Sequence, residues 1–275
     1  MSWLSRQFTT RVIALIPVAI AINIVLGYTV QTVLKLPIYL DSIGTILVGV
    51  LAGPIAGAVT GAASNLIWQY APGIGGGTIG PFAIVAAVIG ILAGLWGYLG
   101  VYRPRPASGG RLWLSALVGV AIIVLLASRI YNNPAYTDPN IGGYPDWVFT
   151  AAVVITVVAA LVVVGFILMR RDAAGAWVAV AGAITGIVAA IVSAPIAAYV
   201  FGGVTGSGTD VLVAALRAGG TDVLNASLGQ GLFSDPIDKT ITSFVVFIVL
   251  ASLSRRVVAR FPLGERVVTP EPVAS

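Results

Sequence analysis

Long apolar stretches alternate along the chain with short polar pieces rich in glycine, proline, asparagine and aspartate. A helix needs about 20 apolar residues to cross a bilayer, and most of the stretches approach that length. The pattern predicts helical segments at residues 12–34, 42–52, 54–70, 81–101, 112–130, 147–169, 173–201 and 236–253. We therefore expect an all-α integral membrane protein, a bundle of about eight transmembrane segments in one domain over residues 1–263. Residues 264–275 are expected to form a short disordered cytoplasmic tail.

The segment at 42–52 is separated from the one at 54–70 by Gly53-Pro54. Proline lacks the N–H that a continuing helix needs, and it disfavours helix in the residue before it, while glycine permits a sharp turn. The pair predicts a short helical hairpin, since the arms of about 11 and 17 residues would reach roughly 17 and 25 Å. The sequence leaves open whether this hairpin spans the membrane or re-enters from one face.

The arginines support a reversal at this hairpin. With the N-terminus inside and an even number of crossings between residues 42 and 70, 11 of the 15 basic residues fall on the cytoplasmic side. These are Arg6, Arg11, Arg103, Arg105, Arg111, Arg170, Arg171, Arg255, Arg256, Arg260 and Arg266. A single span would move most of them outside, against the retention of positive charge in the cytoplasm. Both termini are therefore expected to be cytoplasmic, with the first segment retained as a span.

The amino-acid composition limits the functions that the protein can have. Hydrophobic residues make up 58% of the chain and charged residues 9%, whereas about a quarter is usual in soluble domains. Cysteine and histidine are missing from the sequence, which excludes disulfides, thiolate nucleophiles and imidazole acid–base catalysis. We expect no enzymatic activity, no cofactor and no metal, and no nucleic-acid partner, because the basic residues lie at predicted helix ends.

Small residues recur at intervals of four along the hairpin, at Gly49, Gly53, Gly57 and Gly61. Such a stripe lets another helix approach closely. It fits packing within the protein, and it equally fits a docking surface for a partner subunit.

Several polar residues lie near predicted segment ends. Asp41 can cap the second helix together with Ser42, or contact a ligand at the outer mouth. Asn65, Trp68 and Gln69 share a helical face, which fits membrane-interface anchors or a ring-binding surface.

The stretch before the last segment contains a small repeat, GTDVLVAALRAGG and GTDVLNASLGQG, over residues 208–231. Each copy opens with Thr-Asp, so we expect two short interfacial helices, acting as a surface cover or as a lid. Asp235-Pro236 then reads as a cap and first residue of the last helix, and Lys239 can pair with Asp235 or Asp238. That cluster fits a structural ion pair or ligand coordination.

The pattern resembles the substrate-binding membrane subunit, or S component, of energy-coupling factor (ECF) vitamin transporters. The resemblance rests on the outer loop KLPIYLDSIGT, the turn GPIAG between two short helices, and the Gly-rich loop before the fourth segment. A second match runs over residues 177–256, with SAPIAAYVFGG and DPIDKTITSFVVFIVL. The family usually has six helices, so residues 112–169 are an additional helix pair, and Ala14, Ala19 and Ala21 lack the family's Ala-x-x-x-Ala spacing.

The resemblance implies a protein of the bacterial plasma membrane that captures a vitamin-like small molecule and carries it inward by reorienting in the bilayer. Its implied partners are a transmembrane coupling subunit and two ATPases, since the sequence has no Walker A motif. The alternative is a ligand-sensing module related to histidine-kinase input domains. The expected substrate contacts are Asn23, Tyr28, Gln31, Tyr39, Asp41, Asn65, Trp68, Gln69, Tyr199, Asp235, Asp238 and Lys239. The expected docking residues are Ala14, Ala19, Ala21, Gly49, Gly53, Gly57 and Gly61.

Overall fold

A computed structural model describes residues 3–34, 36, 38–74, 78–131 and 146–269, and it contains no strand within those ranges. The first helices are α1 (Trp3–Gln7), α2 (Thr10–Gly27), α3 (Ile43–Ala52), α4 (Pro54–Tyr70), α5 (Ala83–Tyr98) and α6 (Gly109–Tyr131). The remaining helices are α7 (Asp146–Arg170), α8 (Ala174–Pro195), α9 (Asp210–Ala218), α10 (Val223–Ser252), α11 (Arg255–Val258) and α12 (Gly264–Val268). A π-helical turn extends α2 over Tyr28–Val33 and another extends α8 over Ile196–Val200, while one 3₁₀ turn, Gly80–Phe82, leads into α5.

The membrane-protein prediction has support from helix length and composition. Three helices of the described part are long and apolar enough to cross a bilayer, at Thr10–Val33, Gly80–Tyr98 and Ala174–Val200. Shorter apolar helices accompany them at Ile43–Ala52, Gly109–Leu125 and Ala160–Arg170. These features are those of a transmembrane helical bundle.

The chain reverses at Gly53, whose φ of 118° lies in a region that side-chain-bearing residues rarely adopt. A β-carbon on Gly57 would lie 2.8 Å from Gly49 Cα, and one on Gly61 would lie 3.0 Å from Thr45 Cγ2. Residues equally distant from Gly53 on its two sides therefore face each other. The arms α3 and α4 form a tight antiparallel hairpin, as the Gly-Pro pair predicts.

The glycine stripe of this hairpin packs inside the protein. A β-carbon on Gly57 would lie 2.5 Å from Gly90 O in α5, one on Gly49 would lie 2.7 Å from Ala93 Cβ, and one on Gly61 would meet Ala86 O. Gly53 faces the Gln7 side chain. The four glycines predicted as a docking surface for a partner subunit are therefore covered within this chain, Gly49, Gly57 and Gly61 by α5 and Gly53 by Gln7.

Of the three α2 alanines that were predicted to dock a partner, one is buried and two are exposed. Ala19 is buried, and its backbone lies where a β-carbon on Gly44 would be, at the start of α3, so it too lies within the bundle. Ala14 and Ala21 are exposed on the outer face of α2.

Both arms of the hairpin are capped by side chains from other helices. Gln7 Oε1 accepts the N–H groups of Ile55 and Ala56 at 2.9 and 3.3 Å, at the start of α4. Asn23 Oδ1 accepts the Gly44 N–H at 2.7 Å, at the start of α3. The predicted capping of α3 by Asp41 is therefore wrong: α2 supplies that hydrogen bond, and the Asp41 carboxylate is used elsewhere.

Both ends of the described chain pack near the turn of the hairpin. Trp3 Nε1 donates to Tyr98 Oη at 3.1 Å, and Leu263 N donates to Leu51 O at 2.8 Å. The residues of α12, which the sequence places in a disordered tail, instead form a helix in which Gly264 and Val267 are buried. Val267 belongs to the main hydrophobic cluster, and this contact orders the segment. Residues 270–275 lie outside the described residues.

The last long helix begins earlier than predicted. Asp222 accepts the Leu224 and Asn225 N–H groups, both at 3.1 Å, so α10 starts at Val223 and continues through Pro236. The predicted boundary at Asp235-Pro236 is therefore wrong. Of the two copies of the repeat, the first forms the short helix α9 and the second forms the opening turns of α10.

The additional pair, α6 and α7, packs together and contacts α8. Its base is fixed by hydrogen bonds between two turns, from Ala107 N to Arg171 O and from Ala173 N to Arg105 O, at 2.8 and 2.9 Å. The pair is thus joined to the bundle beside α8.

We expect Gly90→Ala to destabilise the protein strongly, because its methyl group would collide with the backbone of Gly57. Overpacking of this kind costs about 1–3 kcal/mol or more when backbone must move. Thermal unfolding of the full chain in detergent measures the effect. Gly165→Ala is the matched control, since no described residue lies within 4 Å of its β-carbon position. Equal unfolding temperatures for the two variants would contradict the proposed packing.

Candidate functional site

A cavity of about 410 Å³ lies at the end of the bundle that is distant from the hairpin turn. It forms where the ends of α2, α4 and α8, the start of α5 and the first half of α10 meet the connecting loops. The side chains that line it include Tyr28, Gln31, Thr32, Tyr39, Asp41, Ser42, Asn65, Trp68, Phe82, Val85, Ile89, Ser193, Ser227, Gln230, Asp235 and Lys239. None of the described residues of α6 and α7 belongs to this lining.

Trp68 supplies the main aromatic surface. Its side chain is 4% exposed, and its Nε1 donates to Ile74 O at 3.1 Å. The indole lies against Gly27, where a β-carbon would approach Trp68 Cζ3 to 2.7 Å and Asp41 Cβ to 2.9 Å. Gly27 thus leaves the space in which Trp68 and Asp41 come together.

Lys239 is the buried cation of the site, with a side chain that is 4% exposed. Its ammonium group donates to Asp238 Oδ2 at 2.6 Å, to Ser42 Oγ at 2.8 Å and to Asp41 Oδ1 at 3.3 Å. An ammonium group has three protons, so these partners occupy all of them. The network joins α10 to the loop before α3.

Asp238 orders that loop. Its Oδ1 accepts the backbone N–H groups of Tyr39 and Leu40 at 3.0 and 2.8 Å. Leu40 has a φ of 52°, in the left-handed region that costs a residue with a side chain of order 1–3 kcal/mol. The buried carboxylate therefore holds a strained turn at the cavity wall.

Asp41 is also held on several sides. It accepts hydrogen bonds from Gln31 Nε2 at 3.1 Å and from Ser42 Oγ at 2.8 Å, besides its ion pair with Lys239. Burial alone would raise the pKa of this carboxyl. Lys239 and the hydrogen bonds outweigh burial, so the pKa lies below its ordinary value and the group is ionised.

Tyr39 joins the loop to two other elements. Its hydroxyl lies 3.0 Å from Thr209 Oγ1 and accepts a hydrogen bond from Gln230 Nε2 at 3.0 Å. Burial raises the pKa of this phenol above its ordinary value, so it stays neutral. Lys239 Nζ lies 5.9 Å from the centre of its ring, within the range of a cation–π contact.

The rim of the cavity is closed by contacts between loops. Thr78 Oγ1 donates to Thr205 O at 2.8 Å, and Phe82 stacks on Phe201 with ring centroids 5.7 Å apart. Asp210 accepts the Thr205 N–H at 2.9 Å and the Thr205 hydroxyl at 2.8 Å, which shapes this turn. The predicted Thr-Asp pair at 209–210 therefore orders the rim rather than capping α9 with a side chain.

Eight of the predicted substrate contacts line this one cavity: Tyr28, Gln31, Tyr39, Asp41, Asn65, Trp68, Asp235 and Lys239. Residues far apart in sequence thus converge at one end of the bundle.

The other four have different surroundings. Asn23 lies deeper, where its amide donates to Thr45 and Ser64 and caps α3. Asp238 is fully buried behind the lining, and Gln69 Oε1 accepts the Gly80 N–H at 2.7 Å. Tyr199 is 72% exposed on the outside. These four residues, predicted as substrate contacts, therefore do not belong to the cavity lining.

Several residues that line the cavity were not predicted from the sequence. Ser193 lies on α8, and Ser227 and Gln230 lie on the part of α10 that was expected to be a separate short helix. Ser227 and Gln230 are three residues apart, so they share one helical face. That face points to the cavity only because α10 already begins at Val223.

No protein-family model, no curated protein and no solved structure matches this chain.

We expect Gly27→Ala to displace the Trp68 ring and the Asp41 side chain, since its methyl group would lie within 3 Å of both. The indole would move towards water, so the unfolding temperature should fall and tryptophan emission should shift to longer wavelength. Both are measured on the purified full chain. Gly110→Ala is the control, because among the residues that the structure describes none lies within 4 Å of its β-carbon position. An unchanged spectrum and unfolding temperature would contradict this description of the site.

Proposed function

We propose that this chain is the substrate-binding membrane subunit of an ECF-type importer, which captures a vitamin-like small molecule from outside the cell. The observation that carries the proposal is the cavity of about 410 Å³, lined by aromatic rings and by hydrogen-bonding side chains. Its volume falls in the range of about 300–1,000 Å³ that is usual for small-molecule sites.

The local architecture favours the same function. The GPIAG turn forms a compact hairpin, and the free ends of both arms carry lining residues, namely Ser42 before α3 and Asn65 and Trp68 in α4. Such short helices provide polar groups at membrane depth only where neighbouring protein covers their backbone.

The distribution of arginine supports an outward-facing cavity. Arg6, Arg11, Arg103, Arg266 and the pair Arg255-Arg256 lie on the elements that pack around the hairpin turn, at the end of the bundle away from the cavity. Positive charge of this kind is retained in the cytoplasm. In the proposed topology about eight segments cross or enter the bacterial plasma membrane, and both termini face the cytoplasm.

Energy would come from other subunits. The sequence contains no Walker A motif, so ATP hydrolysis is proposed to occur in two ATPases that act through a transmembrane coupling subunit. The hairpin glycines are covered by α5 and by Gln7, and the exposed Ala14 and Ala21 on α2 stay candidates for contact with that subunit.

Purification of the tagged chain from its native membrane in mild detergent tests the proposal. Mass spectrometry of the same sample should find a bound small molecule and the coupling and ATPase subunits. Recovery of a signalling partner without any ATPase would contradict import and would favour the sensory alternative.

Two tyrosine variants test the binding site. We expect Tyr28→Ala to weaken binding of the recovered molecule by about tenfold or more, because it removes an aromatic wall of the cavity. Tyr199→Ala is the matched control and should leave affinity unchanged, since Tyr199 lies outside the cavity. Tryptophan fluorescence titration of the purified variants measures both. Equal losses of affinity in the two variants would contradict the site.

A further inference from the structure

We propose that the molecule held by this cavity carries a positive charge, and that the Asp235 carboxylate receives it. The inference deepens the proposed function, on which it rests for the role of the cavity, by giving the chemical class of the ligand.

The charges around the cavity do not balance. Three carboxylates lie together, those of Asp41, Asp235 and Asp238, and Lys239 is the one cation among the described residues that line the space. Each of its protons is already directed to another atom, at Asp238, Ser42 and Asp41. Lys239 therefore has no proton left for Asp235.

The three carboxylates differ in how well they are satisfied. Asp238 accepts two backbone N–H groups and the ammonium, and Asp41 accepts from Gln31, Ser42 and Lys239. Asp235 has one weak contact, at 3.5 Å, from the hydroxyl of its neighbour Ser234. Of these three carboxylates, Asp235 is thus the one with unused acceptor capacity.

Asp235 is also in the right place. It is 6% exposed, so it is largely removed from bulk water, and it belongs to the lining of the cavity. A carboxylate in such a position is costly unless a donor or cation meets it. A cationic ligand group would supply that partner and would form a charge-assisted hydrogen bond in a poorly solvated space.

The rest of the lining limits the shape of the cation. Trp68, Tyr28 and Phe82 provide aromatic surface, and Val85 and Ile89 provide an apolar wall on α5. A compact ring that bears a protonated amine, an amidinium or a quaternised ring nitrogen would satisfy both surfaces. Anionic ligands would face a net excess of carboxylate.

Three probes of similar shape separate charge from fit: benzamidinium, benzamide and benzoate. Tryptophan fluorescence and thermal stabilisation of the purified full chain measure their binding. We expect benzamidinium to bind at least about tenfold more tightly than benzamide, with benzoate weakest. Equal binding of benzamidinium and benzamide, a preference for benzoate, or no saturable binding of benzamidinium at millimolar concentrations would overturn the proposal.

Asp235→Asn keeps the shape of the side chain and removes its charge. We expect it to abolish the preference for benzamidinium over benzamide. Asp222→Asn should preserve that preference, because Asp222 is the exposed N-cap of the same helix and asparagine can also cap a helix. A preference that persists in Asp235→Asn would overturn the assignment. If that variant does not fold, the comparison of the three probes on the unaltered chain still decides the charge of the ligand.

This experiment is independent of import. It uses the chain alone, so charge selectivity can fail while ATPase subunits still purify with the protein, which would leave the importer proposal standing. Selective binding of benzamidinium without any ATPase partner would instead remove import and retain the cation site.

Discussion

The burial of one ammonium group organises the end of this protein that contains the cavity. Lys239 lies on a long helix within an apolar bundle, where a charge is tolerated only if it is paired and fully hydrogen-bonded. Its partners come from its own helix and from the loop before α3, so satisfying the charge brings these two parts of the chain together. Asp238 then holds the strained turn at Leu40, and that turn places Tyr39 and Asp41 in the wall of the cavity.

A second constraint, close backbone packing, keeps the other end of the bundle solid. Gly49, Gly57 and Gly61 allow the hairpin to lie against α5 with almost no space between the chains. The first and last described segments pack around the hairpin turn, through Gln7 on one side and Leu263 on the other. The cavity therefore forms at the opposite end of the bundle, where longer side chains and polar loops meet.

The sequence predicts most of the helices because their signals are local. Apolar stretches and the Gly53-Pro54 pair locate α2 to α8 within a few residues, and the hairpin follows from proline and glycine chemistry alone. The start of α10 is missed because Asp235-Pro236 has the form of a helix start, while the cap that acts is Asp222. Both signals are present in the sequence, and only tertiary packing selects between them.

The site is partly predictable for a related reason. Polar and aromatic residues at segment ends identify eight lining residues, including Asn65 and Trp68, because such residues are costly within an apolar bundle. Asn23 and Asp238 carry the same signal but satisfy backbone groups behind the lining. The glycine stripe is likewise ambiguous, since a smooth helix face does not reveal whether its partner is α5 or another protein.

A double-mutant cycle between Lys239 and Asp238 tests the central role of the buried charge most directly. Free energies of unfolding would be measured for Lys239→Met, Asp238→Asn and the double variant of the full chain in detergent. Each single change strands a buried charge or donor, which costs about 3–5 kcal/mol for a broken buried pair. We expect the double variant to lose less than the sum of the single losses, by about 1 kcal/mol or more. Additive losses, or single variants as stable as the unaltered protein, would contradict this account.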